Sequence, residues 1–183
     1  MHPSFFPLRV VSALPAHLPL LAGVEQAAAT VFPPGTIPDA IRSDAMPFEE
    51  LEEGMRRNTL WVALSGDTPV GFALLRFAGG IALLAEMDVV PEHARRGLGR
   101  ALVEKAAARA RQEGYSGLYL TTFAAIPWNA PLYARLGFTL VKPAELPPFL
   151  VETLREERKR GLTDRVAMRL ALAEAVLPPD SFL

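Results

Sequence analysis

Apolar and polar positions fall into short blocks whose period changes often along the chain. Residues 8–12 alternate weakly and read as a strand. Residues 18–31 carry leucine, valine and alanine at helical spacing and read as a helix. Four prolines and a glycine within 32–47 predict a loop, and a short charged helix follows over 48–57. Residues 60–64 and 70–77 are apolar runs on either side of Gly66-Asp67, the signature of a hairpin. Gly79-Gly80 turns the chain into a long apolar strand over 81–90, which Pro91 ends. A helix is expected over 98–112, stopped by Gly114, and a β segment over 118–123. A helix over 130–136 stops at Gly137, and a strand follows over 138–141. Pro147 and Pro148 open a helix that runs to Arg160, with Gly161 as its stop, and a strand over 165–172 closes the series.

A strand, a glycine turn, a helix and a strand over 81–123 form a βαβ crossover, so its two strands are expected to be parallel and joined right-handedly. The strands before it are joined by hairpins. The order therefore predicts an α/β fold with a mixed sheet: mostly antiparallel, one parallel strand pair, helices on both faces. A length of 183 residues suits one domain, expected over 1–172, with 173–183 as a loosely held tail containing Pro178-Pro179.

Composition narrows the function classes. Half of the residues are apolar, which is globular. The net charge is −1, so a general nucleic-acid surface is not expected. There is no cysteine, which excludes disulfides, thiolate metal sites and an acyl-cysteine intermediate, and fits a reducing, cytoplasmic setting. His2, His17 and His93 are scattered without ligand spacing and point to no metal. Residues 10–23 look superficially like the apolar core of a signal peptide, but Pro15, His17 and Pro19 break them and only Arg9 precedes them. No uninterrupted apolar run nears the about 18 residues a membrane helix needs, so no membrane partner is expected.

The candidate chemistry starts at Arg95-Arg96-Gly97-Leu98-Gly99-Arg100, between the strand and the helix of the crossover. Glycines let backbone N–H groups close on an anion without a Cβ in the way. The helix start adds positive dipole, and the arginines add forked donors suited to phosphate. A dinucleotide fingerprint would need a third glycine where Leu102 stands, and no Gly-Lys-Ser/Thr is present for a P-loop. Farther on lies Pro127-Trp128-Asn129-Ala130-Pro131-Leu132-Tyr133-Ala134-Arg135-Leu136-Gly137-Phe138. With the Arg-Arg-Gly-Leu-Gly-Arg-Ala-Leu turn after Val-Val-Pro-Glu and this Tyr-x-x-Leu-Gly-Phe helix end, the chain resembles the GNAT superfamily of acyl-CoA-dependent N-acetyltransferases, over roughly residues 5–172.

The resemblance implies acetyl-CoA as cosubstrate and an amine acceptor, either a small molecule or a peptide N-terminus. It implies that backbone amides of Arg95, Arg96, Gly97, Leu98, Gly99 and Arg100 hold the coenzyme A pyrophosphate, with Gly97 and Gly99 at the close-approach positions. The family usually has Gln or Arg where this chain has Ala94, so one side-chain contact is missing and the amides carry more of the load. Met87, Asp88, Val89 and Val90 would bind the pantetheine arm as a partial added strand, with the Val89 N–H donating to the acetyl oxygen. Tyr133 matches the tyrosine that protonates the departing thiolate. Asn129 either hydrogen-bonds the coenzyme A arm or caps the helix beginning at Ala130. Glu86 is the leading base for the amine, and Asp88 or a water relay are the alternatives. The acceptor pocket is expected between the 32–47 loop, the helix after it and the 123–128 turn. Glu49, Glu50, Glu52 and Glu53 attract a cationic amine there or form a solvated face. Trp128 lines the pocket or packs in the core, and the 147–160 helix is a lid or a surface helix. A non-catalytic acyl-CoA-binding or sensing module is the alternative function. A homodimer paired through the last strand and tail is compatible with either.

Overall fold

The computed structural model describes residues 7–42 and 44–173, so positions 174–183 of the expected tail lie outside the described residues. In chain order the strands are β1 (Leu8–Ser12), β2 (Leu60–Ser65), β3 (Thr68–Ala78), β4 (Ile81–Val89), β5 (Gly117–Phe123), β6 (Thr139–Leu140) and β7 (Arg165–Ala171). The helices are α1 (Leu18–Ala29), α2 (Asp39–Arg42), α3 (Phe48–Arg56), α4 (Leu98–Gln112), α5 (Ala130–Arg135) and α6 (Pro148–Lys159). The pattern did not predict α2, inside the expected 32–47 loop, nor the single 3-10 turns at Pro91–His93 and Pro143–Glu145. The N–H groups of Ile41 and Arg42 both bond to the Pro38 carbonyl, and a single turn is too short to show a helical period.

The strands form one sheet in the order β1-β2-β3-β4-β5-β7-β6. Every neighbouring pair is antiparallel except β4 and β5, which are parallel. This is the mixed sheet the element order predicts. On one face α4 lays a row of small and apolar residues, Leu102, Val103, Ala106 and Ala110, against Ala73, Leu84, Leu118 and Leu120. The alanines let the helix approach the strands closely. On the other face Leu21 and Val24 of α1 and Leu51 of α3 cover Leu60, Val62, Phe72 and Leu74. Beside them Leu150 of α6 packs on Ile81, Leu83 and Ala167. Each fully buried leucine contributes roughly 1.5–3 kcal/mol, so these two layers hold the sheet without staples. Among the described residues, no helix is long and apolar enough to cross a membrane.

Two irregularities of β4 prepare the site. Leu84 pairs with Leu75 of β3 but Glu86 pairs with Leu74, so Ala85 is an extra residue at a β-bulge. Directly paired residues share a face. Leu74 and Phe72 belong to the α1 face, so their partners Glu86 and Asp88 point there; Met87, paired with Ala73, points to the α4 face. Regular alternation from Leu84 would have placed Glu86 on the α4 face. The second irregularity is the parallel ladder between β4 and β5, which consists of Ala82↔Leu118 and Leu83↔Tyr119. Beyond it β4 stays on β3 and β5 stays on β7, so the sheet opens between them.

Candidate functional site

The opening leads into a cleft of about 1610 Å³. Residues 83–89 of β4 form one wall, residues 120–123 of β5 the other, and α1, the 44–47 segment, α5 and α6 complete it. Where a strand loses its neighbour, its outward N–H groups are left to face the gap. The Val90 N–H bonds to the Val70 carbonyl at 2.9 Å, on the β3 side. By strand alternation the Val89 N–H is directed to the opposite edge, into the opening. Val90 is thus committed to the sheet, while Met87 and Val89 turn their N–H groups to the opening, that of Met87 donating to the Glu86 carboxylate at 3.3 Å.

At the mouth of the cleft, a turn of helix over Pro91–His93 leads into the glycine segment. Gly97 has φ +84° and Arg95 has φ +60°, both in the left-handed region. Glycine suits that region at 97; at 95 an arginine takes it, which the sequence did not signal. The first bond of α4 runs from the Ala101 N–H to the Gly97 carbonyl at 3.0 Å, so the N–H groups of Leu98, Gly99 and Arg100 have no partner within the helix. Together with the helix dipole they make a cradle for an anion. The Leu98 side chain is buried in the α4 core, so only its backbone belongs to this cradle. Arg95, Arg96 and Arg100 are exposed around it. A Cβ on Gly99 would lie 3.7 Å from Sδ of Met87, an ordinary contact, so among the two glycines the backbone conformation demands only Gly97.

Tyr133 of α5 is buried at 9% exposure, with its ring edge-on to Phe138 at 5.6 Å. Its hydroxyl makes no hydrogen bond among the described residues. Burial first, then the charges of Glu86 and Asp88, push the phenol above its ordinary value, so it stays protonated at neutral pH. Asn129 sits at the helix start, yet its side chain makes no capping bond. Instead its Oδ1 accepts from the Thr122 hydroxyl of β5 at 3.0 Å, which ties α5 to the edge of the opening. Trp128 is 42% exposed and stands at the cleft rim, edge-on to Phe32, whose ring also lies 5.6 Å from Phe123. The segment after α1 and the end of β5 therefore meet through aromatic contacts across the cleft.

Glu86 and Asp88 lie in the cleft on the α1 face. Burial pushes the Glu86 carboxyl up, opposed by the Met87 N–H and by Arg165 and Arg76. Asp88 is pushed well up by burial and by its acidic neighbours Glu86 and Glu25. Glu25 of α1 is a third cleft carboxyl, pushed up to about 7 by burial with a further push from Glu86. Arg165 forms a two-bond pair with Glu157 of α6, at 3.0 and 3.1 Å, and the Thr121 hydroxyl donates to the same glutamate at 2.6 Å. Glu25, Thr121, Glu157 and Arg165 escaped the sequence reading because they come from four different elements and share no motif. Of the acidic run of α3, Glu50 lines the cleft and pairs with Arg76 of β3, and Glu53 pairs locally with Arg56 and Arg57. The α6 helix is a wall of the cleft, tied across its outer end by the Arg160–Asp44 pair at 3.1 Å.

Comparison with known proteins gives the same arrangement a context. The N-acetylglutamate synthase of Neisseria gonorrhoeae, solved with coenzyme A and N-acetyl-glutamate, aligns with a TM-score of 0.67 at 19% identity over 92% of this chain. The chain spans 36% of that protein's length. PaiA N-acetyltransferase of Thermoplasma acidophilum, in complex with coenzyme A, aligns at 0.66 and 16% identity, covering 90% of this chain and 99% of that one. The ribosomal-protein-S18-alanine N-acetyltransferase of Escherichia coli aligns at 0.62 and 19% identity, covering 97% and 100%. At such identities the likeness is one of fold. The profile of the acetyltransferase (GNAT) family matches residues 27–138. That match runs from the end of α1 to the close of the Tyr133 helix, more than half of the chain, and the chain belongs to the GNAT acetyltransferase family.

Proposed function

We propose that this protein is an N-acetyltransferase that moves the acetyl group of acetyl-CoA to an amine by direct attack within a ternary complex. The observation that carries the reading is the split between β4 and β5, with Tyr133 on one side of the sheet and Glu86 on the other. A thioester threaded through the opening would have an acid beside its sulfur and a base beside its acceptor. The cradle fits the cosubstrate: the N–H groups of Leu98, Gly99 and Arg100, with Gly97 and the turn arginines, suit a pyrophosphate. The edge of β4 that turns away from β3 at Met87 to Val89 suits an amide-bearing arm laid alongside it as an extra strand. When bound, the cosubstrate supplies an activated acyl carbon.

The chain's own groups do the rest. Glu86, with Asp88 beside it, takes the proton from the arriving ammonium. A carboxyl pushed above its ordinary range is a better base for that step. The Val89 N–H donates to the acetyl oxygen as negative charge grows there. The Tyr133 hydroxyl donates to sulfur as the thiolate departs. With no cysteine in the chain, a thiol acyl-enzyme has no nucleophile. The acceptor is a small-molecule amine or a peptide N-terminus.

The test is a thermal shift with acetyl-CoA and with NADP, followed by a screen of amines for release of free coenzyme A. At 100 times its dissociation constant a ligand adds about 2.7 kcal/mol, so a rise in Tm with acetyl-CoA alone is expected. No shift with acetyl-CoA overturns the reading; a shift without release from any amine favours a binding module. The cradle is tested by Gly97→Val. A branched side chain at φ +84° is strained by about 1–3 kcal/mol, so acetyl-CoA affinity should fall about tenfold. Unchanged affinity in isothermal titration would return the turn to a purely structural role.

A further inference from the structure

Residues 44–47 join α2 to α3 and line the cleft on the side of Glu86. The segment belongs to no strand. Its ends join the flanking helical turns, through the Asp44 N–H to the Ile41 carbonyl and through the Pro47 carbonyl to the Glu50 and Leu51 N–H groups, and the Met46 side chain packs beside the α1 core. Three polar side-chain contacts tie it to the rest of the fold. Asp44 pairs with Arg160 at 3.1 Å, but both side chains are more than half exposed. Such a pair contributes little. Arg76 donates to Sδ of Met46 at 3.2 Å, and a thioether is a weak acceptor. The third is different in kind: both carboxylate oxygens of Glu25 accept from the Met46 N–H, at 2.9 and 3.1 Å, in a part-buried setting. This contact is part-buried, so water competes with it less than with the exposed Asp44–Arg160 pair.

We propose that Glu25 is the positioning residue of the acceptor site: by holding the Met46 N–H it sets residues 44–47 as the wall of the chamber containing Glu86. This rests on the acetyltransferase reading above. Burial and Glu86 push the Glu25 carboxyl up, and the Met46 N–H opposes that rise, so the bond favours the charged form of the anchor. The carboxyl reaches from α1 to a segment 21 residues away in sequence, so it couples the α1 wall to the α3 wall directly.

The test compares Glu25→Ala with Glu25→Gln, whose amide oxygen still accepts from an N–H. Amide hydrogen exchange over 44–51 needs no acceptor molecule. Loss of the bond in Glu25→Ala should speed Met46 exchange about tenfold or more, while Glu25→Gln stays within about threefold of the parent. With the best amine of the screen, Glu25→Ala should raise the amine KM about tenfold with kcat and acetyl-CoA affinity nearly kept, and Glu25→Gln should restore most of it. Glu25→Ser, too short to reach Met46, replaces the alanine variant if that one fails to fold. Arg160→Ala should change exchange by less than about twofold. Parent-like exchange in Glu25→Ala, a Gln variant as impaired as the Ala variant, or equal loosening by Arg160→Ala would each overturn the proposal. If no amine is turned over, the exchange result still decides the role of Glu25, and the acetyl-CoA shift separately decides the parent reading.

Discussion

Replacing Tyr133 with Phe is expected to lower turnover by about 100-fold or more, the usual scale for loss of a positioned acid. Acetyl-CoA affinity should stay within about threefold, because the hydroxyl would act only as charge appears on sulfur. The substitution is gentle to the fold. The ring packs on Phe138 as before, and the hydroxyl removed has no hydrogen-bond partner among the described residues. Tm should therefore be kept or rise slightly. Steady-state release of coenzyme A, together with isothermal titration of acetyl-CoA, reads both quantities. A Phe variant at full rate would show that Tyr133 is not the acid, and a parallel loss of affinity would assign it to binding.

The second large effect is expected for Glu86→Gln, with kcat/KM for the amine down about 100-fold at neutral pH. Two pH signatures separate this from damage to the fold. In the parent, Glu86 takes up its proton above the ordinary value of 4.5, so the rate should fall on the acidic side earlier than for an unperturbed glutamate. The Gln variant should lose that limb and keep a low, flatter profile. Stability should move the other way. A carboxyl whose folded value lies above its unfolded value favours the folded state fully below pH 4.5, and that contribution is lost as pH rises through the folded value. Above pH 4.5 the parent progressively loses that contribution and the non-titrating Gln variant does not, so at pH 8 the variant should melt at the higher temperature, the difference shrinking toward pH 4.5. A Gln variant that is both slow and less stable at pH 8 would mark Glu86 as structural. One with parent-like rate would move the base to Asp88 or to water.

Much of this site could be read along the chain because its parts are local. The period of α4 and the glycine at 97 belong to one short stretch, and so does the tyrosine set before Leu-Gly-Phe. Helical spacing, a left-handed glycine and a helix start are decided by neighbouring residues, so sequence carries them. The acidic pair at 86 and 88 was also legible as sharing one face, since alternation is local. Short elements were not: α2 is a single turn begun at Pro38, and the expected strand over 138–141 is reduced to Thr139–Leu140.

By itself, then, the sequence determined the order of the longer elements, the mixed sheet, the glycine turn that opens α4 and the helix that carries Tyr133. Tertiary structure alone decided how these face one another. The bulge at Ala85 is a property of two strands in register, and it alone turns Glu86 and Asp88 to the α1 face, across the sheet from Tyr133. The parallel ladder ends after Leu83↔Tyr119 because β4 and β5 each keep a different antiparallel partner, and no residue within either strand encodes that divergence. Glu25, Thr121, Glu157 and Arg165 reach the cleft from distant parts of the chain. Their pairing energies, and the shifted carboxyl of Glu25, exist only once burial has removed water from between them.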